Sequence, residues 1–112
     1  MAYIFPVRYE FIESTVFSAY VGDYLTDEEY QQLQEFLSNN PEAGDIVRGS
    51  GGVRKVRWAR AGAGKSGGVR VCYYVRTAAG QILMLVIYSK SNRVAIPGHV
   101  LKKLKDIFDE TD

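Results

Sequence analysis

The feature that most constrains this chain is the run ILMLVIY, which extends from Ile82 to Tyr88. It is far too short to cross a bilayer, which takes about 20 apolar residues in a helix. An extended segment with apolar side chains on both faces is typical of a central β-strand. With 112 residues, 46% of them hydrophobic, the chain is expected to form one small domain over residues 1–112.

Further strands are predicted on both sides of this run. Apolar residues alternate from Tyr3 to Phe11, which predicts a first strand, and Pro6 favours an edge position or a start near Val7. Three more strands are predicted after the helical part of the chain, at Val53–Ala59, Val69–Arg76 and Ile82–Tyr88. Ala78-Ala79-Gly80 is typical of the turn between the last two.

Three helices complete the predicted fold. Apolar spacing predicts a helix from Ser14, and the capping box Thr26-Asp-Glu-Glu29 starts a second helix that runs to about Ser38. Pro97-Gly98 opens a last helix with an apolar stripe. The order β-α-α-β-β-β-α predicts an α+β domain with two helices packed on one face of the sheet.

The charges are segregated along the chain. Residues 1–45 contain nine acids and one base, residues 46–105 contain thirteen bases and no acid, and the last seven residues carry four acids. Such a long cationic segment favours a polyanionic partner, above all nucleic acid. The alternatives are an acidic partner protein or a basic face that only keeps the chain soluble.

Several classes of site are disfavoured. Cys72 is the single cysteine, so no intramolecular disulfide can form, and with one histidine, His99, a zinc site is not expected. We therefore expect no cofactor and no metal. The N-terminal residues lack the pattern of a signal peptide, and we expect a soluble, cytoplasmic protein.

The segment from Ala59 to Ser66 matches a relaxed P-loop pattern. A working P-loop needs a helix after its Lys-Ser pair, but Gly67-Gly68 and a predicted strand follow here. We interpret this segment as a cationic hairpin loop.

The basic residues of the predicted strands share one face. Lys55 and Arg57 are two residues apart and lie on the same side, whereas Val56 and Trp58 point the other way. Arg70 shares a face with three other residues of the next strand: Cys72, Tyr74 and Arg76. One side of the sheet can therefore pack on helices while the other presents a phosphate site.

Several ordered segments together resemble the HigB-like branch of the RelE toxin superfamily. The most specific are Gly49-Ser-Gly-Gly-Val-Arg-Lys-Val-Arg-Trp-Ala59, Gly62-Ala-Gly-Lys-Ser-Gly-Gly-Val-Arg70, Tyr73-Tyr74 and Ile87-Tyr-Ser-Lys90. The resemblance implies two N-terminal helices on a twisted antiparallel sheet of about four strands, plus a C-terminal helix. It further implies a ribosome-dependent mRNA endoribonuclease, the toxin of a bacterial type II toxin–antitoxin pair.

The resemblance also implies site residues. The catalytic set that it carries over is Lys55, Arg57, Arg70, Tyr88 and Lys90. Metal-independent attack of the 2′-OH on the adjacent phosphate is expected, with either lysine as the base and the arginines stabilising the phosphorane charge. Contacts to mRNA or ribosomal RNA are expected from Arg54, Arg60, Lys65 and Arg93.

The implied partners are the ribosome with its mRNA and an antitoxin with a helix-turn-helix domain. No membrane partner is expected. The alternative interpretation is a non-enzymatic protein on the same fold, either a ParE-like gyrase inhibitor or a basic RNA- or protein-binding module.

Overall fold

The computed structural model describes residues 9–59, 68–89 and 96–110, with side chains as far as Phe108. These residues form five strands and three helices: β1 (Glu10–Glu13), α1 (Thr15–Tyr24), α2 (Asp27–Asn39), β2 (Asp45–Ile46), β3 (Arg54–Trp58), β4 (Val69–Arg76), β5 (Gln81–Ser89) and α3 (Gly98–Glu110). The α+β prediction is confirmed. Most of the predicted first strand, including Tyr3 and Val7, lies outside the described residues.

The first two helices begin where the sequence predicts. The hydroxyl of Ser14 accepts a hydrogen bond from the N–H of Phe17 at 2.9 Å and caps α1. The capping box of α2 is complete. Thr26 Oγ1 accepts from the N–H of Glu29 at 3.1 Å, and Glu29 Oε1 accepts from the N–H of Thr26 at 2.9 Å.

The described strands form one sheet in the order β1-β5-β4-β3-β2. Two details differ from the prediction of an antiparallel sheet of about four strands. β2 is a fifth strand of two residues, too short for periodicity to detect. β1 pairs parallel to β5, whereas the other three pairings are antiparallel.

The sheet is covered on both faces. On the first, which we call the helix-pair face, Phe17 of α1 and Leu33 of α2 pack with strand residues such as Val71. On the second, the α3 face, Leu101 packs with Val53 and with other strand residues. β5 contributes to both clusters, with Ile82, Met84 and Ile87 on the helix-pair face and Leu83, Leu85 and Val86 on the α3 face. The prediction of an interior strand is confirmed.

β5 contains a bulge. Val86 pairs with Cys72 and Met84 pairs with Tyr73, so Leu85 has no opposite residue on β4. Ser14, the N-cap residue of α1, is hydrogen-bonded to the backbone at this bulge. Its main-chain N–H donates to the carbonyl of Met84 at 2.9 Å, and its hydroxyl donates to the carbonyl of Leu85 at 2.7 Å. The first turn of α1 is thereby fixed on β5.

One buried tyrosine holds the loop between α2 and β2. The hydroxyl of Tyr73 donates to the carbonyl of Pro41 at 2.8 Å and accepts from the N–H of Gly44 at 2.9 Å. Tyr73→Phe would leave that buried N–H without a partner, so we expect the free energy of unfolding to fall by about 1–3 kcal/mol. Urea denaturation measures this change, with Tyr20→Phe on the exposed side of α1 as the matched control. Equal stability of the two variants would contradict the assignment.

Over the part of the chain that the structure describes, no helix has the length and apolar character that a bilayer crossing requires.

Candidate functional site

Three side chains form a row across the middle of the sheet. Arg57 of β3 is the register partner of Arg70 on β4, which in turn is the register partner of Tyr88 on β5. Directly opposite residues of antiparallel strands share a face, with Cβ atoms about 4.5–5.5 Å apart. Arg57 is exposed, and Arg70 and Tyr88 are half-buried. We call these three residues the arginine row.

The two arginines of the row face one another without a compensating acid. Like charges directly opposite each other destabilise a sheet. Among the described residues, neither Arg57 nor Arg70 forms an ion pair. A bound anion would relieve their repulsion, and paired guanidinium groups match the oxygens of a phosphate.

Lys55 lies on the same face, two residues before the arginine row on β3. It is half-buried and is the register partner of Cys72. Burial raises the pKa of the Cys72 thiol to about 12, against the opposing effect of the positive charge on Lys55. The thiol is therefore neutral at physiological pH.

Tyr88 differs from the arginines beside it because its phenol is neutral. Burial raises its pKa above the ordinary value, a negative charge on Cys72 would raise it further, and Arg70 acts in the opposite direction. At neutral pH the hydroxyl therefore keeps its proton. Tyr88 can donate a hydrogen bond or a proton to an oxygen atom held between the arginines.

A carboxylate approaches this face from β2. Asp45 is the register partner of Lys55 on the side away from β4, it is exposed, and no ion pair joins the two side chains. Among the described residues, no group of three or more histidine, cysteine or carboxylate side chains is arranged to hold a metal ion.

The α3 helix covers part of the face on which the arginine row lies. Leu101 is 1% exposed and belongs to one apolar cluster with Val53, Leu83 and Leu85. These strand residues lie on the side of Lys55 away from the arginine row. Sequence reasoning placed the basic side chains on one face correctly, but it did not place the last helix on that face as well.

Comparison with known proteins identifies the fold of the chain. No protein-family model matches the chain. Among solved structures it is similar to a double arginine-to-alanine mutant of the E. coli toxin RelE in the free state, with a TM-score of 0.50. The identity is 16%, over 76% of this chain and 87% of that one. The chain has the fold of RelE. This confirms the predicted RelE-type fold.

On this RelE fold, Arg54 lies on the opposite face from Lys55 and Arg57. Its guanidinium Nη1 donates to the carbonyl of Gly44 at 2.8 Å and to that of Glu42 at 3.3 Å. The structure therefore separates Arg54 from the arginine row and gives it a contact with the loop after α2. Its predicted role as an RNA contact stays a prediction.

Trp58 also lies on the helix-pair face, as its position in the strand predicts. Its ring packs against Phe36 of α2, with the ring centroids 5.3 Å apart. The indole therefore belongs to the packing under α2, on the face opposite the arginine row.

Four predicted site residues lie outside the described residues: Arg60, Lys65, Lys90 and Arg93. The segments 60–67 and 90–95 follow Ala59 and Ser89 in the chain. Ser89 is the register partner of Val69, which pairs with Trp58 in the row next to the arginine row. The last described residues before these segments, Ala59 and Ser89, thus lie close to the arginine row.

Proposed function

We propose that this chain is a toxin of the HigB-like branch of the RelE superfamily and acts as an endoribonuclease on translated mRNA. The observation that supports this most directly is the arginine row, in which two opposed guanidinium groups without an ion pair among the described residues lie beside a neutral phenol. The RelE fold of the chain agrees with this proposal.

The proposed reaction is an internal transfer at phosphorus. A base removes the proton of a ribose 2′-OH, and the oxygen bonds to the adjacent phosphorus atom. The bond from phosphorus to the 5′-oxygen then breaks, and that oxygen takes up a proton. The products are a 2′,3′-cyclic phosphate and a 5′-OH, so no water is consumed in the cleavage step.

Each described residue of the site has a role in this reaction. Arg57 and Arg70 bind the non-bridging oxygens and stabilise the charge that grows on them. Tyr88, with its retained proton, donates to the phosphate or to the leaving oxygen. The base is Lys55 or Lys90, of which Lys55 lies on the same face as the row.

The ribosome supplies the substrate in this proposal. A shallow sheet surface holds single-stranded RNA weakly by itself, and the decoding site would present mRNA in the required geometry. Arg60, Lys65 and Arg93 would contact RNA backbone around the site. The antitoxin, with a helix-turn-helix domain, would neutralise the basic face in the resting cell.

Mapping RNA ends separates this proposal from the binding alternatives. The chain is expressed without its antitoxin, and the ends of cellular mRNA fragments are sequenced. The ligation step is chosen so that it accepts only 3′ ends with a 2′,3′-cyclic phosphate and 5′ ends with a hydroxyl. Cuts within translated frames support the endoribonuclease. Growth arrest without RNA cuts would instead favour the ParE-like gyrase inhibitor, which has no need of a focused phosphate site.

A second prediction concerns magnesium. We expect purified protein to cut mRNA on ribosomes, and free RNA poorly, at EDTA concentrations that leave ribosomes intact. The reason is that residues 46–105, which supply the proposed catalytic residues, contain no carboxylate. Cleavage is measured by primer extension over a series of EDTA concentrations. Robust magnesium-dependent cutting of free RNA would overturn the proposed mechanism.

A further inference from the structure

A second group of cations lies on the turn before β3 and on the first half of α3. It consists of Arg48, Lys102 and Lys103, all exposed, and we call it the α3 basic surface. Residues 46–105, from which it is built, contain no acid. The α3 basic surface is separate from the arginine row, because the row lies at the opposite end of β3 from the turn that carries Arg48.

The turn that carries Arg48 and the start of α3 are in close contact. A Cβ atom on Gly98 would overlap the carbonyl of Arg48. A Cβ atom on Gly51 would lie 3.2 Å from Nζ of Lys105 and 3.6 Å from Cγ of Lys102. The start of α3 is therefore fixed on the turn, so the fold sets the backbone positions that carry the cations.

The ionic contacts of the α3 lysines show that Lys105 has a structural role, whereas Lys102 is available to bind a ligand. Lys105 is 12% exposed, lies 4.8 Å from the ring centroid of Tyr74 and is 3.4 Å from Asp106. It attaches the helix to the sheet. Lys102 is 3.1 Å from the same carboxylate, but these two side chains are 54% and 43% exposed. An ion pair so exposed contributes little stability, so Lys102 can exchange it for another anion.

The charges along α3 run against the helix dipole. Its first turn contains no acid and its last turn contains no base. Lys102 and Lys103 lie in its first half, whereas Asp109 and Glu110 stand at its end. Acids near the start and bases near the end would stabilise the helix, so the helix dipole does not favour this arrangement. It does concentrate positive potential at the end of the helix beside Arg48.

We propose that the α3 basic surface binds the phosphate backbone of folded RNA and docks the protein on the ribosome, apart from the site of cleavage. This inference rests on the proposed function, which makes the ribosome the source of the RNA. Exposed lysines on a rigid framework suit sequence-independent contact with phosphates. The cation-rich, acid-free segment that supplies the arginine row also supplies this surface, which favours RNA over an acidic protein.

The test is binding of a 2′-O-methyl RNA duplex of about 20 base pairs, which cannot be cleaved by 2′-OH attack. The variant Arg48→Ala/Lys102→Ala/Lys103→Ala should bind more weakly, and its log–log salt slope should fall by about three units, one for each phosphate contact. The cleavage rate at saturating ribosome concentration should stay unchanged, because the arginine row is intact.

Matched variants control for charge and for the cleavage site. Lys102→Arg/Lys103→Arg keeps the charge and should bind as the wild type. Glu28→Gln/Glu35→Gln alters exposed acids on α2 and should leave the salt slope unchanged. Arg70→Ala should lose cleavage while keeping most of the duplex affinity.

Each other outcome has a defined meaning. Failure of the wild type to bind the duplex, or an unchanged slope in the triple variant, would overturn the proposal. So would a triple variant that loses only its affinity for the antitoxin, which would assign the surface to a protein partner. If end mapping finds no cleavage but duplex binding still depends on the three cations, the proposed function fails and the α3 basic surface stands.

Discussion

Arg70→Ala is expected to lower the rate of mRNA cleavage by on the order of 100-fold and to relieve the growth arrest caused by expression without antitoxin. Arg70 lies at the centre of the arginine row, between Arg57 and Tyr88. It is therefore placed to contact the phosphate and to influence the phenol at the same time. Its loss removes one charge that stabilises the transition state. It also removes the repulsion between the two opposed guanidinium groups, so the sheet should not be destabilised.

The measurement is single-turnover cleavage on programmed ribosomes, beside growth curves and thermal unfolding. Arg70→Lys keeps a charge without the planar fork and should recover part of the rate. Arg76→Ala removes an arginine from the far end of the same strand, opposite Gln81, and should cleave normally. Full toxicity of a folded Arg70→Ala protein would count against this site.

Lys55→Ala should abolish cleavage, while Lys65→Ala should mainly weaken ribosome binding. Lys55 lies on the α3 face, two residues from the arginine row. Lys65 belongs to the segment that matches a relaxed P-loop pattern. If that segment bound a nucleotide, Lys65 would be essential and Lys55 a solvated surface charge. If the sheet carries the chemistry, the loss of Lys65 should reduce the salt slope of ribosome binding by about one unit.

The two variants are compared by cleavage rate at saturating ribosome concentration and by binding at two salt concentrations. Lys55 forms no ion pair among the described residues, so its removal is not expected to unfold the protein. Lys55→Met, which keeps the aliphatic stem, checks that packing against Cys72 is not the cause. Normal cleavage by Lys55→Ala together with an inactive Lys65→Ala would reverse the assignment.

Local chemistry explains which parts of the fold the sequence predicts well. The capping box at Thr26 acts over four residues, and its two hydrogen bonds are present. Alternation along β3 places Lys55 and Arg57 on one face and Val56 on the other, as observed. Both signals depend only on neighbours in the chain.

The features that were not predicted depend on contacts between distant residues. The parallel pairing of β1 with β5 joins Glu10 to Gln81, and no local pattern states its direction. The position of α3 over Val53 likewise follows from packing. The contacts of Arg54 show the same limit, because no local pattern states that carbonyls of the loop after α2 accept its hydrogen bonds.

The bulge at Leu85 determines which chemical group completes the arginine row. Side chains of a regular strand alternate between faces, so an uninterrupted β5 that placed Leu83 on the α3 face would direct Tyr88 to the helix-pair face. The extra residue reverses this phase, and Tyr88 stands beside Arg70. The composition of the site is therefore set by the pairing of β5 as well as by side-chain identity. The same residues paired without the bulge would keep every side chain of the row in the sequence and still present only two of them together.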